Sequence, residues 1–133
     1  MTRSRALGAT GLAAASLLLL ASPVPALAHH SFAVFFNADE AVVPITGVVS
    51  EFHFTNPHGI IKLMVLGKAG PAQEWKVETN SPSILSRRGW TKDSLKPGET
   101  VTIQGWPARD GTNYMRLRSA SRADGTPIGV AFQ

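Results

Sequence analysis

Cysteine is absent from this 133-residue chain. No disulfide can staple it and no thiolate nucleophile can serve it, so stability has to come from packing. Tyrosine occurs once and aromatic residues make up 8% of the sequence, and Trp75, Trp90, Trp106 and Tyr114 are the candidates for a stacking platform. Apolar runs are short as well. The stretch Leu12–Ala21 ends at Pro23 and Pro25, before the ~20 residues needed to span a bilayer comfortably, which argues against a membrane anchor. Ser4 separates Arg3 from Arg5, so there is no twin-arginine signal. There is no internal repeat and no ~30-residue strand–helix–strand unit, which excludes a doubly wound sheet. Ser81 and Ser83 lack a His and an acid at readable spacing. Asp110 and Asp124 each precede Gly and read as turn residues rather than a carboxylate dyad.

What is present begins with an export signal. Arg3 and Arg5 supply its positive start, Leu12–Ala21 its apolar core and Ala26-Leu27-Ala28 a small-x-small cleavage site. Residues 1–28 are therefore expected to be a cleaved secretory signal peptide, with 29–133 as a single domain in the bacterial periplasm or secreted. At that length a domain buries a real core without staples. The whole chain carries thirteen Lys and Arg against nine Asp and Glu. Losing Arg3 and Arg5 leaves eleven against nine, a net +2, which together with the compartment speaks against nucleic acid.

Cleavage after Ala28 puts His29 and His30 at the mature amino terminus. An α-amine titrates at about 7.7–8, so near neutrality a metal can displace its proton. The amine and the ring Nδ1 of His29 would then close a chelate, with His30 or His58 adding an imidazole. Nitrogen ligands favour copper among the divalent first-row metals. Two of the four histidines, His53 and His58, flank the Phe54–Pro57 turn. His58 by itself reads as a hydrogen-bonded residue at a strand end. Asn56 and Glu78 are the candidates to support such a site from outside the ligand set, although Glu78 beside Lys76 also reads as a plain surface charge.

Hydrophobic alternation outlines the domain. Phe32, Val34 and Phe36 share a parity that predicts a short buried or edge strand, followed by a turn at Asn37–Glu40. A strand from about Ile45 to Phe54 places Val48, Ser50, Phe52 and Phe54 on one face, with Gly47 suited to a bulge. Strands follow over about His58–Leu66 and Gln73–Thr79, the latter with Trp75, Val77 and Thr79 inside. Ser81 as N-cap, Pro82 at the first helical position and Gly89 past the end define a short helix, with Ile84 and Leu85 on its apolar stripe. Arg87 and Arg88 then lie where the helix dipole favours cations. Lys96-Pro97-Gly98 turns the chain into a strand over Thr100–Pro107. Asp110-Gly111 turns it into Asn113–Arg122, and Asp124-Gly125 into a terminal strand around Ile128–Phe132. The predicted fold is all-β with one short helix: a small five-stranded OB-like barrel, the helix between strands 3 and 4. Val48, Phe52, Trp75, Val77, Leu85, Val101 and Ile103 should form its core, and Trp90 should cap the barrel bottom. Trp106 and Tyr114 are the expected exposed aromatics.

The segments His29-His30-Ser31-Phe32, Phe54-Thr55-Asn56-Pro57-His58, Trp75-Lys76-Val77-Glu78 and Leu85-Ser86-Arg87-Arg88-Gly89-Trp90 carry a resemblance. So do Ser81-Pro82, Leu95-Lys96-Pro97-Gly98 and Pro107-Ala108-Arg109-Asp110-Gly111. The sequence resembles a family of exported bacterial proteins of unknown function that begin with His-His-Ser-Phe after the signal. That resemblance covers essentially the whole mature chain. It implies export and a small β-barrel, with no established activity. His29, His30, Asn56, His58 and Glu78 match the family pattern, and His53 falls outside it. Phe54 stands where the family usually has Trp, Asn37 where Asp is common, and Glu99 where Asp is usual.

Two functional expectations follow, neither enzymatic. One is a periplasmic OB-like domain that binds copper or another transition metal through its amino-terminal histidines. The other is a metal-free module that binds a peptide, glycan or protein partner on its barrel face through Trp106 and Tyr114. A copper-dependent oxidase is a third and weaker reading, since an amino-terminal histidine chelate resembles the copper site of oxidative polysaccharide-cleaving enzymes but no substrate surface is evident.

Overall fold

The computed structural model describes residues 32–37 and 41–133; the expected signal peptide, His29 and His30 lie outside them. The chain runs α1 (Phe32–Phe35), β1 (Val43–His53), β2 (Ile60–Val65), β3 (Gln73–Glu78), α2 (Pro82–Arg87), β4 (Thr100–Pro107), β5 (Tyr114–Arg122) and β6 (Pro127–Ile128). Strand β1 pairs antiparallel with both β2 and β4, β2 with β3, and β4 with β5. A parallel pairing of β3 with β5 closes the circuit. Closure removes the sheet edges that an open five-stranded sheet would expose, and the result is the OB-like barrel that the order of elements predicts.

The long strand β1 departs from the sequence reading. Its predicted inward face included Val48, yet Val48 is 42% exposed while Ile45 and Val49 are buried. The reason is a bulge: the register against β2 shifts between Val49 and Glu51. One extra residue reverses the parity, so Ile45, Gly47 and Val49 point inward before it, and Phe52 packs against the core after it. The bulge therefore sits around Ser50, whose hydroxyl donates to the Lys62 carbonyl at 3.2 Å, and not at Gly47. Glycine at 47 serves a close approach instead, because a Cβ there would lie 2.7 Å from the Met64 carbonyl oxygen.

Elsewhere the predicted faces hold. Ile61, Leu63, Val77, Leu85, Val101 and Ile103 are fully buried, and Trp75 is partly buried against them. Helix α2 contributes Leu85 to the core, while Ile84, placed on the same stripe by sequence, is 40% exposed. The helix stops where Gly89 adopts φ 83°, a conformation glycine takes without a Cβ clash. Trp90 then turns inward, is buried and meets Phe52 at 6.1 Å between ring centroids.

Both ends of the domain differ from expectation. Phe32–Phe35 is one helical turn rather than a strand, with the Phe36 amide donating to the Phe32 carbonyl at 2.8 Å. Residues four apart share a face of a helix as well as of a strand, so the pair Phe32 and Phe36 fits either, whereas Val34, which a strand would place beside them, is 67% exposed on the other side of the turn. Only Phe36 makes a β-bridge, to Ala108. The expected terminal strand shrinks to Pro127–Ile128, after which Phe132 is buried and its amide donates to the Arg118 carbonyl at 2.7 Å.

Candidate functional site

The parallel seam between β3 and β5 aligns Lys76 with Tyr114 and Glu78 with Arg116. Because Val77 and Met115 point into the barrel, the residues on either side point out. Their side chains form a network on that outer surface. Arg116 Nη1 donates to Glu78 Oε1 at 2.6 Å, Arg116 Nη2 donates to Asn80 Oδ1 at 2.5 Å, and the Tyr114 hydroxyl donates to Glu78 Oε2. Glu78 is thus not a plain surface charge beside Lys76: its side chain is only 20% exposed and that of Arg116 13%. Burial, and then the hydrogen bond to the Glu78 carboxylate, push the Tyr114 phenol well above its ordinary ionisation range.

His58 joins this network at its margin. Its Nδ1 lies 3.2 Å from the Thr79 carbonyl oxygen and 3.8 Å from Glu78 Oε1. A carbonyl only accepts, so Nδ1 carries the proton and, in the neutral ring, Nε2 keeps its lone pair. Asn56 is exposed in the turn before His58. His53 is engaged elsewhere, with Nε2 at 2.6 Å from Glu51 Oε2. Hydrogen bonds from Lys62 and then His53 lower the ionisation of Glu51 below the usual carboxylate range.

The amino-terminal segment docks beside the same seam. Phe32 meets Trp106 edge-on with centroids 5.1 Å apart, and Phe36 lies 5.6 Å from the Tyr114 ring. Arg109 ties the segment down through its Nε to the Ala33 carbonyl at 2.8 Å and its amide to the Phe35 carbonyl at 2.9 Å. Trp106 and Tyr114 are in consequence partly covered rather than openly exposed. Next to Trp106 opens a cavity of about 470 Å³, walled by Phe32, Ile84, Leu117 and Phe132, with Asn80, Arg88, Arg116 and Gln133 as its polar lining.

Of the sequence-level candidates, the fold brings His58 and Glu78 together and sets Trp106 and Tyr114 under the docked segment. His29 and His30 lie outside the described residues. Among the described residues no group of three or more His, Asp and Glu side chains is gathered closely enough to hold a metal ion. Sequence reading overlooked Arg116 and Asn80, and assigned Arg88 to the helix dipole alone. The strand alternation marks Arg116 as outward, but its partner Glu78 lies 38 positions away, and no local pattern announces a parallel pairing at that separation.

Residues 15–116 match the model of a family of unknown function, DUF6152. The chain belongs to this family. The DUF6152 match spans β1 to β4 and reaches Arg116 in β5, so the residues of the closing seam all fall within it. No curated protein matches the chain.

Proposed function

We propose that this DUF6152 protein is an exported, periplasmic OB-like binding module that holds copper at its mature amino terminus. In this reading His29 chelates through its amine and ring, and His30 or His58 completes the site. The observation that supports it is the docking of Phe32 on Trp106 and of Phe36 on Ala108 and Tyr114. An extended chain covers at most ~3.3–3.6 Å per residue, so the three steps back from Phe32 keep His29 within about 11 Å of a point fixed on the barrel. A chelate tethered this close to the barrel has less freedom left to lose than one on a loose tail, so metal binding carries a smaller ordering cost. The tautomer of His58 adds to this: its Thr79 bond orients the ring and leaves Nε2 as the ligating nitrogen, as is usual for metal-binding histidines.

Two forms of the protein separate this reading from its rival. One begins at His29; the other carries an extra Gly before His29, which turns the amine into an amide and leaves every imidazole in place. Copper affinity, measured by competition with a chelator of known strength, should fall at least tenfold in the extended form and in His29→Ala. Equal affinity in the first two forms would remove the amino-terminal site. The metal-free module, binding a partner at Trp106 and Tyr114, would then be the better account.

A further inference from the structure

We propose that the cavity beside Trp106 is a binding site for a neutral pyranose sugar with equatorial hydroxyls. Its volume of about 470 Å³ falls in the range of small-molecule sites, ~300–1,000 Å³. The rings of Phe32, Trp106 and Phe132 line it, and Ile84 and Leu117 complete its apolar part. Phe32 and Trp106 stand at 88° to each other, so they do not form the parallel faces that would sandwich a flat heterocycle. Walls at a right angle suit a body with thickness. A saturated ring whose hydroxyls are equatorial is such a body, with C–H groups on both faces and polar atoms around its rim.

The polar lining supplies donors and acceptors together. Arg116 spends one N–H on Glu78 and one on Asn80, and a guanidinium has five, so it keeps N–H groups to offer. Asn80 accepts from Arg116 through its carbonyl oxygen, which leaves its NH₂ as a donor. Gln133 adds an amide whose oxygen accepts and whose NH₂ donates, and its terminal carboxylate accepts only. A ligand that matches this mixture must both donate and accept at several points. One hydroxyl does both, and a sugar ring carries several at fixed spacing.

Charge in the lining is of both signs. Glu78 compensates Arg116 at 2.6 Å. Arg88 is engaged by the carboxy-terminal segment, donating to the Ala131 carbonyl at 2.5 Å and lying over the Phe132 ring at 5.2 Å. An anion would meet the Gln133 carboxylate and a cation the two guanidiniums, and either would leave water for a place without a free counter-charge. A neutral ligand avoids both costs. None of these groups belongs to the amino-terminal chelate, so the sugar site and the copper site stand or fall separately. The sugar narrows the metal-free alternative to one ligand class, and its failure would leave that alternative with peptide and protein partners.

The test uses mature protein stripped of metal with a chelator, titrated with methyl β-D-glucopyranoside. Two controls accompany it: cyclohexanol, an apolar ring with a single hydroxyl, and methyl β-D-glucuronide, the same sugar bearing a carboxylate. Binding is followed by calorimetry and by the shift of the Trp106 indole N–H in nitrogen-15 spectra. The glucoside should shift Trp106 and bind at least tenfold more tightly than either control. Gln133→Ala should weaken the glucoside several-fold and leave cyclohexanol unchanged. Ile84→Trp, at an exposed helical position, should fill the cavity and abolish binding of the glucoside. The proposal is overturned if tens of millimolar glucoside leave Trp106 unshifted, if either control binds as tightly, or if Gln133→Ala or Ile84→Trp binds the glucoside as the parent does.

Discussion

Glu78 and Arg116 are register partners across the parallel seam that closes the barrel, and their side chains meet at 2.6 Å. Both are largely shielded from water, so the pair is screened less than a surface ion pair. Removing one member leaves the other partly buried without its partner, which is the costly half of such an arrangement. Glu78→Gln should therefore lower stability by about 1–3 kcal/mol, read as a lower urea midpoint at unchanged slope. A loss under about 0.5 kcal/mol, the level typical of exposed pairs, would mean that solvent screens the seam.

Tyr114 provides a pH signature of the same network. Its folded-state ionisation is raised, first by burial and then by the bond to Glu78. The proton is thus held more tightly in the folded chain than in the unfolded one. The resulting stabilisation is fully present below the ordinary tyrosine value of about 10, and is lost as pH rises above it toward the folded value. Tyr114 is the only tyrosine in the sequence, so phenolate absorbance near 295 nm reports it alone. At pH 10 the folded protein should show almost no phenolate, whereas urea-unfolded protein should be about half ionised. Equal titration in both states would contradict the buried hydrogen bond.

The bulge in β1 is open to a paired substitution. Val49 is 1% exposed and Val48 42%. Val49→Ala should cost about 2 kcal/mol through lost burial and a residual cavity, and Val48→Ala less than about 0.5 kcal/mol, as for ordinary surface changes. The opposite ranking would restore the single-parity reading of this strand.

Docking of the amino-terminal segment rests on Phe32. Replacing it with Ala removes the edge-on contact with Trp106, worth about 0.5–1.5 kcal/mol beyond burial. Hydrogen exchange should speed up at the amides that tie the segment to the barrel, those of Asn37 and Arg109, while the β1 and β4 amides keep their protection. Unchanged exchange at Arg109 would show that its bond to Phe35 holds the segment without the aromatic contact.

Local chemistry made much of this protein readable in advance. Alternating β-branched and aromatic residues mark the strands, Pro82 and Gly89 bracket α2, and Asp-Gly and Pro-Gly pairs place the turns. These signals act within a few residues, because they depend on backbone dihedrals and on side-chain parity. The element order they produce was enough to specify the barrel. Tertiary structure decided what parity cannot carry across distance. The one-residue bulge near Ser50 shifts the register of β1 against β2, and Val49 rather than Val48 lies in the core before it. Phe32 and Phe36 share a face in helix and strand alike, and in the folded chain they meet Trp106 and Tyr114 from a helical turn that leaves Val34 exposed. The Glu78–Arg116–Asn80 network and the cavity beside it arise only when β3 and β5 meet in parallel, a pairing that costs loop-closure entropy and is repaid by burial of Val77 and Met115. Residue types and local spacing determined which strands this chain could form; the packing of distant strands determined which side chains face one another, and with them the candidate site.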